Sequence, residues 1–260
     1  MLTLAKFEPT PDLTKQLRQV AETSVAIVPD AYELSKLAWF LVSDYLNRWN
    51  EAENDINGGR QLLLEAEQRV QQALAIANTL DAAHYAKAFI LRAQGKFLEA
   101  QKTFADLTAR YPRWGSAFAQ EGNEWVNLGP GNTFANFDTA LDRASTAIGL
   151  NSSNGVFYWV RGRAYFFKKD YGSAITALEE SRRLRDNLWF NRLYLVSAYA
   201  RNGQDATNEL MDFRRQFPDF TPQIVDMYER DLANPNLDLC DFHLGLYEAK
   251  FLPTPPPPPP

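Results

Sequence analysis

With one cysteine and two histidines, the chain is poor in the side chains that crosslink a fold or bind a metal. The single cysteine, Cys240, excludes an intrachain disulfide framework and makes a reducing compartment the default. "LCDFH" places Cys240, Asp241 and His243 together. On a helix, however, Cys240, Leu244 and Tyr247 share the i, i+4, i+7 face, which makes Cys240 a core residue. With so few ligands no metal site is expected, and no cofactor. Long apolar runs are lacking too: "KLAWFLV" (36–42) falls far short of the roughly 20 residues that span a bilayer. "MLTLAKFEPTPDLTK" has no charged segment followed by an apolar one, so no signal peptide is read and a cytoplasmic location is expected. A basic excess is missing as well: the net charge of -5 argues against a general nucleic-acid binder. "LGPGN" (128–132) lacks the lysine and Ser/Thr of a phosphate-binding loop. No spacing assembles a nucleophile, a base and an orienting group, so no catalytic residues and no enzyme are expected.

Material for a folded core is plentiful: 45% of the residues are hydrophobic, 13% aromatic and 23% charged. The charge is unevenly spread. Arg161–Arg215 holds eleven basic and seven acidic residues, whereas Gln216–Pro260 holds two basic and seven acidic. The basic segment either pairs with the acidic one within the chain or faces an acidic partner.

The strongest pattern is a repeat. In "DYGSAITALEESRRLRD", Ala174, Leu178, Ser181 and Asp186 are separated by four, three and five residues. The same gaps recur at Ala66, Val70, Ala73, Asn78; at Ala100, Phe104, Leu107, Pro112; at Ala140, Ala144, Ala147, Ser152; and at Ala206, Leu210, Phe213, Pro218. The lead alanines are 34, 40, 34 and 32 residues apart, which marks an internal repeat. Positions i, i+4 and i+7 share one helix face, and a small leading residue lets a neighbouring helix approach closely. The fourth position ends the helix or caps the next. A second apolar-periodic helix precedes each one. "GVFYWVRGRAYFFKK" puts Tyr158, Gly162 and Tyr165 on one face, and "AQGKF", "KKDYG" and "RNGQD" read as turns between the two helices. The unit is a helical hairpin of about 34 residues that must stack on its neighbours to bury its apolar face.

This pattern resembles the tetratricopeptide repeat, which has large residues at positions 4 and 11, small ones at 8, 20 and 27, a large one at 24 and proline at 32. Gly155–Leu188 matches with Tyr158, Gly162, Tyr165, Ala174, Leu178, Ser181 and Asp186. Asp81–Trp114 matches with Ala88, Leu91, Ala100, Phe104 and Pro112. In the unit from Trp189, Val196 replaces the small residue and the inter-helix turn is two residues shorter. Two units carry insertions in that turn, "NRWNEAENDINGGR" and "NLGPGNTFANFD". The array further resembles those attached to bacterial signalling proteins, including adenylate cyclases and transcriptional regulators, although no stretch reads as a cyclase or a winged helix. The implied fold is all-α, a right-handed α-α superhelix of about five hairpins with capping helices. Residues 1–29 would form an N-terminal cap helix starting near Pro11 or Asp12, 30–218 the array, 219–252 the C-terminal capping helices, and 253–260 a polyproline tail.

In this family, positions 2, 5, 9, 12 and 13 of each first helix line a concave groove. Carried over, they give Tyr85, Phe89 and Arg92 in the second unit and Phe118 and Trp125 in the third. The fourth contributes Trp159, Arg163 and Phe166, and the fifth Leu193, Ser197 and Arg201. Arginines beside aromatics suit an extended or helical peptide bearing carboxylates; the alternative is that several of them pack a tightly wound groove. The Lys/Asn pattern by which some relatives clamp a C-terminal carboxylate is absent, since Tyr85 and Phe89 take those places in the second unit. The resemblance therefore implies a non-catalytic adaptor or scaffold with a protein or peptide partner of acidic character, no nucleic acid and no membrane insertion. The alternatives are a structural subunit of a larger complex and a sensory module of a signalling system.

Overall fold

The computed structural model describes residues 11–46, 56–128, 137–218, 220–222, 225 and 239–253, with the backbone alone for 11–15, 56–58 and 240. Among these residues there are twelve α-helices and no strand. They are α1 (Pro11–Ile27), α2 (Ala31–Leu46), α3 (Ile56–Ile76), α4 (Asp81–Ala93), α5 (Phe97–Arg110) and α6 (Gly115–Asn127). Then follow α7 (Phe137–Leu150), α8 (Gly155–Phe167), α9 (Tyr171–Leu184), α10 (Trp189–Arg201), α11 (Thr207–Gln216) and α12 (Cys240–Glu248). The helices from α2 to α11 form five consecutive pairs. Most of both inserted turns, and the prolines from 255 onward, lie outside the described residues. No helix among the described residues is long and apolar enough to cross a membrane.

The repeat template sets the core. All fifteen residues at its first three positions, from Ala66 through Phe213, are buried, and most have no accessible surface at all. The small residues act as contact points between the two helices of a pair. A Cβ on Gly162 of α8 would lie 2.6 Å from Leu178 Cγ, and one on Gly122 of α6 would lie 3.1 Å from the Ala140 carbonyl oxygen. At Gly162 a Cβ would force Leu178 to shift, and at Gly122 the neighbour would have to give by a few tenths of an ångström.

The turns explain why the hairpins close. Gly95 and Gly203, each two residues beyond a first helix, have φ of 72° and 70°, and Lys169 holds the equivalent place with φ 63°. In each turn the next amide reaches back to a carbonyl five residues earlier: Lys96 N to Leu91 O, Asp170 N to Tyr165 O and Gln204 N to Tyr199 O, at 2.9–3.1 Å. These are left-handed C-terminal caps, which glycine adopts without steric cost. Entry to the next helices is capped by side chains, with Asn154 accepting from Val156 N and Asp170 from Ser173 N, both at 3.1 Å. Lys169 is the strained member of the set. Lys169→Gly is expected to raise the unfolding free energy by about 1 kcal/mol, because its ion pair with Asp241 is largely solvated and contributes little. Urea unfolding of the full chain measures this, and a destabilised variant would show that the ion pair outweighs the backbone strain.

The chain divides into two compact units, Met1–Tyr111 and Pro112–Pro260. In the first, Ala31, Leu34, Ala73 and Ala83 form a buried cluster that joins α2, α3 and α4, with Val25 of α1 packed against it. Arg18 of α1 donates to the buried Asp44 of α2 at 2.7 Å. Tyr85, Phe89 and Phe104 meet edge-on or tilted, with centroids 5.1–5.7 Å apart. In the second unit, Val126, Ala140 and Ala164 join α6, α7 and α8, with Leu239 packed on the same cluster.

Candidate partner-binding face

The first helices α4, α6, α8 and α10 carry the residues expected to line the groove. In α4, Tyr85 and Phe89 are buried against Phe104, and the half-buried Arg92 stacks over Phe89 at 4.7 Å. They build the α4–α5 hairpin.

In α6 the register differs from the one expected. The helix starts at Gly115, so Gly122 takes position 8, facing Ala140, as Gly162 does in α8. Phe118 and Trp125 therefore occupy positions 4 and 11. Phe118 is buried with Arg143 over its ring at 5.8 Å, and Trp125 packs on the α6–α7–α8 cluster. Both are hairpin residues: the expected register starts one residue too early, at Trp114 instead of Gly115. The groove positions 9 and 13 belong instead to Asn123 and Asn127.

Those asparagines have a defined task. Arg163 of α8, buried, donates through Nη1 to Asn123 Oδ1 at 2.7 Å and to Asn127 Oδ1 at 2.8 Å, and through Nε to the Tyr194 hydroxyl of α10 at 3.2 Å. One guanidinium thus ties three successive first helices together. Trp159, Phe167 and Tyr194 surround it, with Cζ 5.5–5.8 Å from their ring centroids. Asn127 Nδ2 in turn donates to the buried Glu124 at 3.0 Å. Arg163 is a structural tie, and buried hydrogen-bonded networks of this kind are costly to break. Trp159 is nearly buried and packs on Phe190 at 4.6 Å.

The remaining positions, Phe166, Leu193, Ser197 and Arg201, belong to a face that the chain itself fills at three of them. The helix α12 packs on α10 and reaches α8 through the Phe242 ring. Phe242 packs on Tyr194 at 4.5 Å and reaches Phe166 at 6.3 Å. The Ser197 hydroxyl donates to the Phe242 carbonyl at 2.9 Å. Gly245 crosses α10 so closely that a Cβ there would collide with Ser197 Oγ and lie 2.6 Å from the Ser197 carbonyl oxygen. Leu246 has no accessible surface. Leu193 is buried within the same unit.

Charge closes the contact. Arg201 donates to Asp241 at 3.2 Å and to Glu248 at 3.0 Å. Asp241 also accepts from the Tyr171 hydroxyl at 2.9 Å and lies 3.3 Å from Lys169 Nζ. Burial pushes the Asp241 carboxyl up, but the Tyr171 hydrogen bond and the Lys169 and Arg201 cations outweigh it and hold it below its ordinary value. The basic segment and the acidic C-terminal one therefore do pair within the chain. The uneven charge was the signal of this in the sequence; the close crossing is marked by Gly245, four residues after one carboxylate and three before the other.

A second concavity, a cleft of about 430 Å³, is lined by Arg182, Asp186, Arg192, Asp212, Arg215 and Gln216. Its buried Arg192 is bound by Glu209, by Asp186 at 2.6 Å and by Gln216 at 2.7 Å. Opposite charges offset one another there. Among the described residues no three metal-ligating side chains come together, and the side chain of Cys240 lies outside them.

No family model matches the sequence, and no curated protein is similar to it. Solved structures do match. A thermophilic TPR protein of Thermus thermophilus has a TM-score of 0.58 at 18% identity, over 74% of this chain and 99% of its own. A tetratricopeptide repeat protein of Parabacteroides merdae has a TM-score of 0.51 at 13% identity, over 91% and 92%. At these identities the likeness is one of fold, and it agrees with the buried template residues and the capped turns. The chain has the all-α helical-hairpin fold of tetratricopeptide-repeat proteins.

Proposed function

We propose that the chain is a non-catalytic adaptor that holds an acidic helix of a protein partner on the first-helix face of its second unit. Helical-repeat folds present extended preformed surfaces for protein interaction, and a preformed surface lowers the ordering cost of binding. One observation carries the narrower reading: this face already receives a helix, with Arg201 forked between two carboxylates of α12 and two aromatic rings against Phe242. Fork-shaped guanidinium recognition of carboxylates, with aromatic anchors beside it, suits peptide capture.

Affinity capture with the full chain, compared with an Arg201→Glu variant, tests this. Charge reversal is expected to reduce recovery of a partner roughly tenfold or more, with the helical content of the repeat array retained. The same change loosens α12, so a loss of capture reports on the carboxylates of the partner and not on a better-covered face. Equal recovery by both chains would sink the reading. Trp159 and Arg163 are unsuited to this test, because altering Arg163 dismantles the tie among α6, α8 and α10.

A further inference from the structure

The helix on the candidate face is a poor one by its own physics. It has nine residues, fewer than an isolated helix needs to persist in water, and Gly245 in its interior weakens it further. No side chain caps its start at Leu239. Its order therefore rests on docking, and its docking contacts are specific. Asp241, Gly245 and Glu248 form the stripe that crosses Ser197 and Arg201, while Phe242 and Leu246 fill the apolar space beside it. The aromatic contacts on the receiving side come from residues that hold their places without it: Phe166 packs on Tyr194 at 5.4 Å, and Tyr194 is hydrogen-bonded to Arg163. The receiving face is thus preformed, whereas its occupant is marginal.

We propose that the face of α8 and α10 is an exchangeable helix site, with α12 as its resident occupant. The external partner would present a longer helix with the same arrangement: a carboxylate, an aromatic one residue on, glycine at i+4, an apolar residue at i+5 and a second carboxylate at i+7. The charge of the face selects it, since Lys169 and Arg201 meet the two carboxylates, and the close crossing at Ser197 selects glycine. A longer helix brings more of its own stability than nine residues can, and so it displaces α12. This rests on the adaptor reading above and adds to it both the chemistry of the partner and a competitor built into the chain.

The test uses the full chain and a fluorescein-labelled peptide of residues 238–250. Gly245→Leu in the protein cannot be seated against Ser197, so it frees the face. The peptide is expected to bind this variant at least tenfold more tightly than the wild type, as measured by anisotropy. Adding Arg201→Glu should remove the gain. A peptide with lysine at both carboxylate positions should then bind the doubly changed chain in its place. If Gly245→Leu retains its helical content yet binds the peptide no better than the wild type, α12 is a permanent cap and the proposal is wrong. Hydrogen exchange on the wild-type chain gives an answer even where the variant fails to fold. Amides of α12 should exchange at least tenfold faster than those of α10, and equal rates would overturn exchangeability. A wild-type chain that dimerises with concentration and is separated by the peptide would assign the face to a second copy, which overturns an external partner. Partner capture through Arg201 by a chain whose α12 cannot be displaced would refute this inference and leave the adaptor reading standing.

Discussion

Phe104→Ala is expected to lower the unfolding free energy by about 3–5 kcal/mol, the range for truncating a fully buried aromatic. Phe104 has no accessible surface and occupies the second place of the repeat template in α5. Tyr85 and Phe89 meet it edge-on at 5.6 and 5.7 Å, and Arg92 lies over it at 5.7 Å. Alanine would remove the ring on which all three converge. The α4–α5 hairpin has few ways to collapse into the void, because small residues such as Ala88 and Ala100 already bring its helices close. Urea unfolding of the full chain measures the effect. A loss below about 1 kcal/mol would mean that the first unit can repack, contrary to the tight template.

Glu209→Ala should have a comparable effect in the second unit by another route. Glu209 is buried at the start of α11 and accepts from Arg182 of α9 and Arg192 of α10. Removing it leaves Arg192, itself buried, without its buried carboxylate. Breaking a buried ion pair from one side costs about 3–5 kcal/mol. Replacing Arg182, Arg192 and Glu209 together by apolar residues of similar size should be far milder, because no unpaired charge then remains. Urea unfolding of the single and triple variants decides it. If the single variant is as stable as the wild type, the hydrogen bonds of Arg192 to Asp186 and Gln216 suffice.

How far the fold was legible from spacing can be judged at particular positions. The template alanines, Phe104, Leu178 and Phe213 were readable because a helix repeats its faces at a fixed interval, and each proves buried. The turns at Gly95, Lys169 and Gly203 were readable as turns, though nothing in "KKDYG" marked the lysine as the left-handed residue. The site was less legible. The groove pattern named Ser197 and Arg201, but spacing treats one helix at a time and says nothing of the α12 contact 45 residues away. No spacing singled out Asn123 and Asn127, and only the position of Arg163 between three helices gives them a role. The shift of register at Phe118 and Trp125 is a single residue, because the apolar spacing alone does not decide whether the unit opens at Trp114 or Gly115.

The separation between α10 and α12 along the chain has a consequence in time. The Arg201–Glu248 pair joins residues 47 positions apart. At roughly 5–20 residues per second of synthesis, α10 is complete about 2–9 s before Glu248 is added. For that interval the face that α12 covers in the finished chain is bare. On the exchangeable-site proposal, a partner present at the ribosome would meet no competitor, and the order of translation would favour assembly with newly made chains over exchange into old ones.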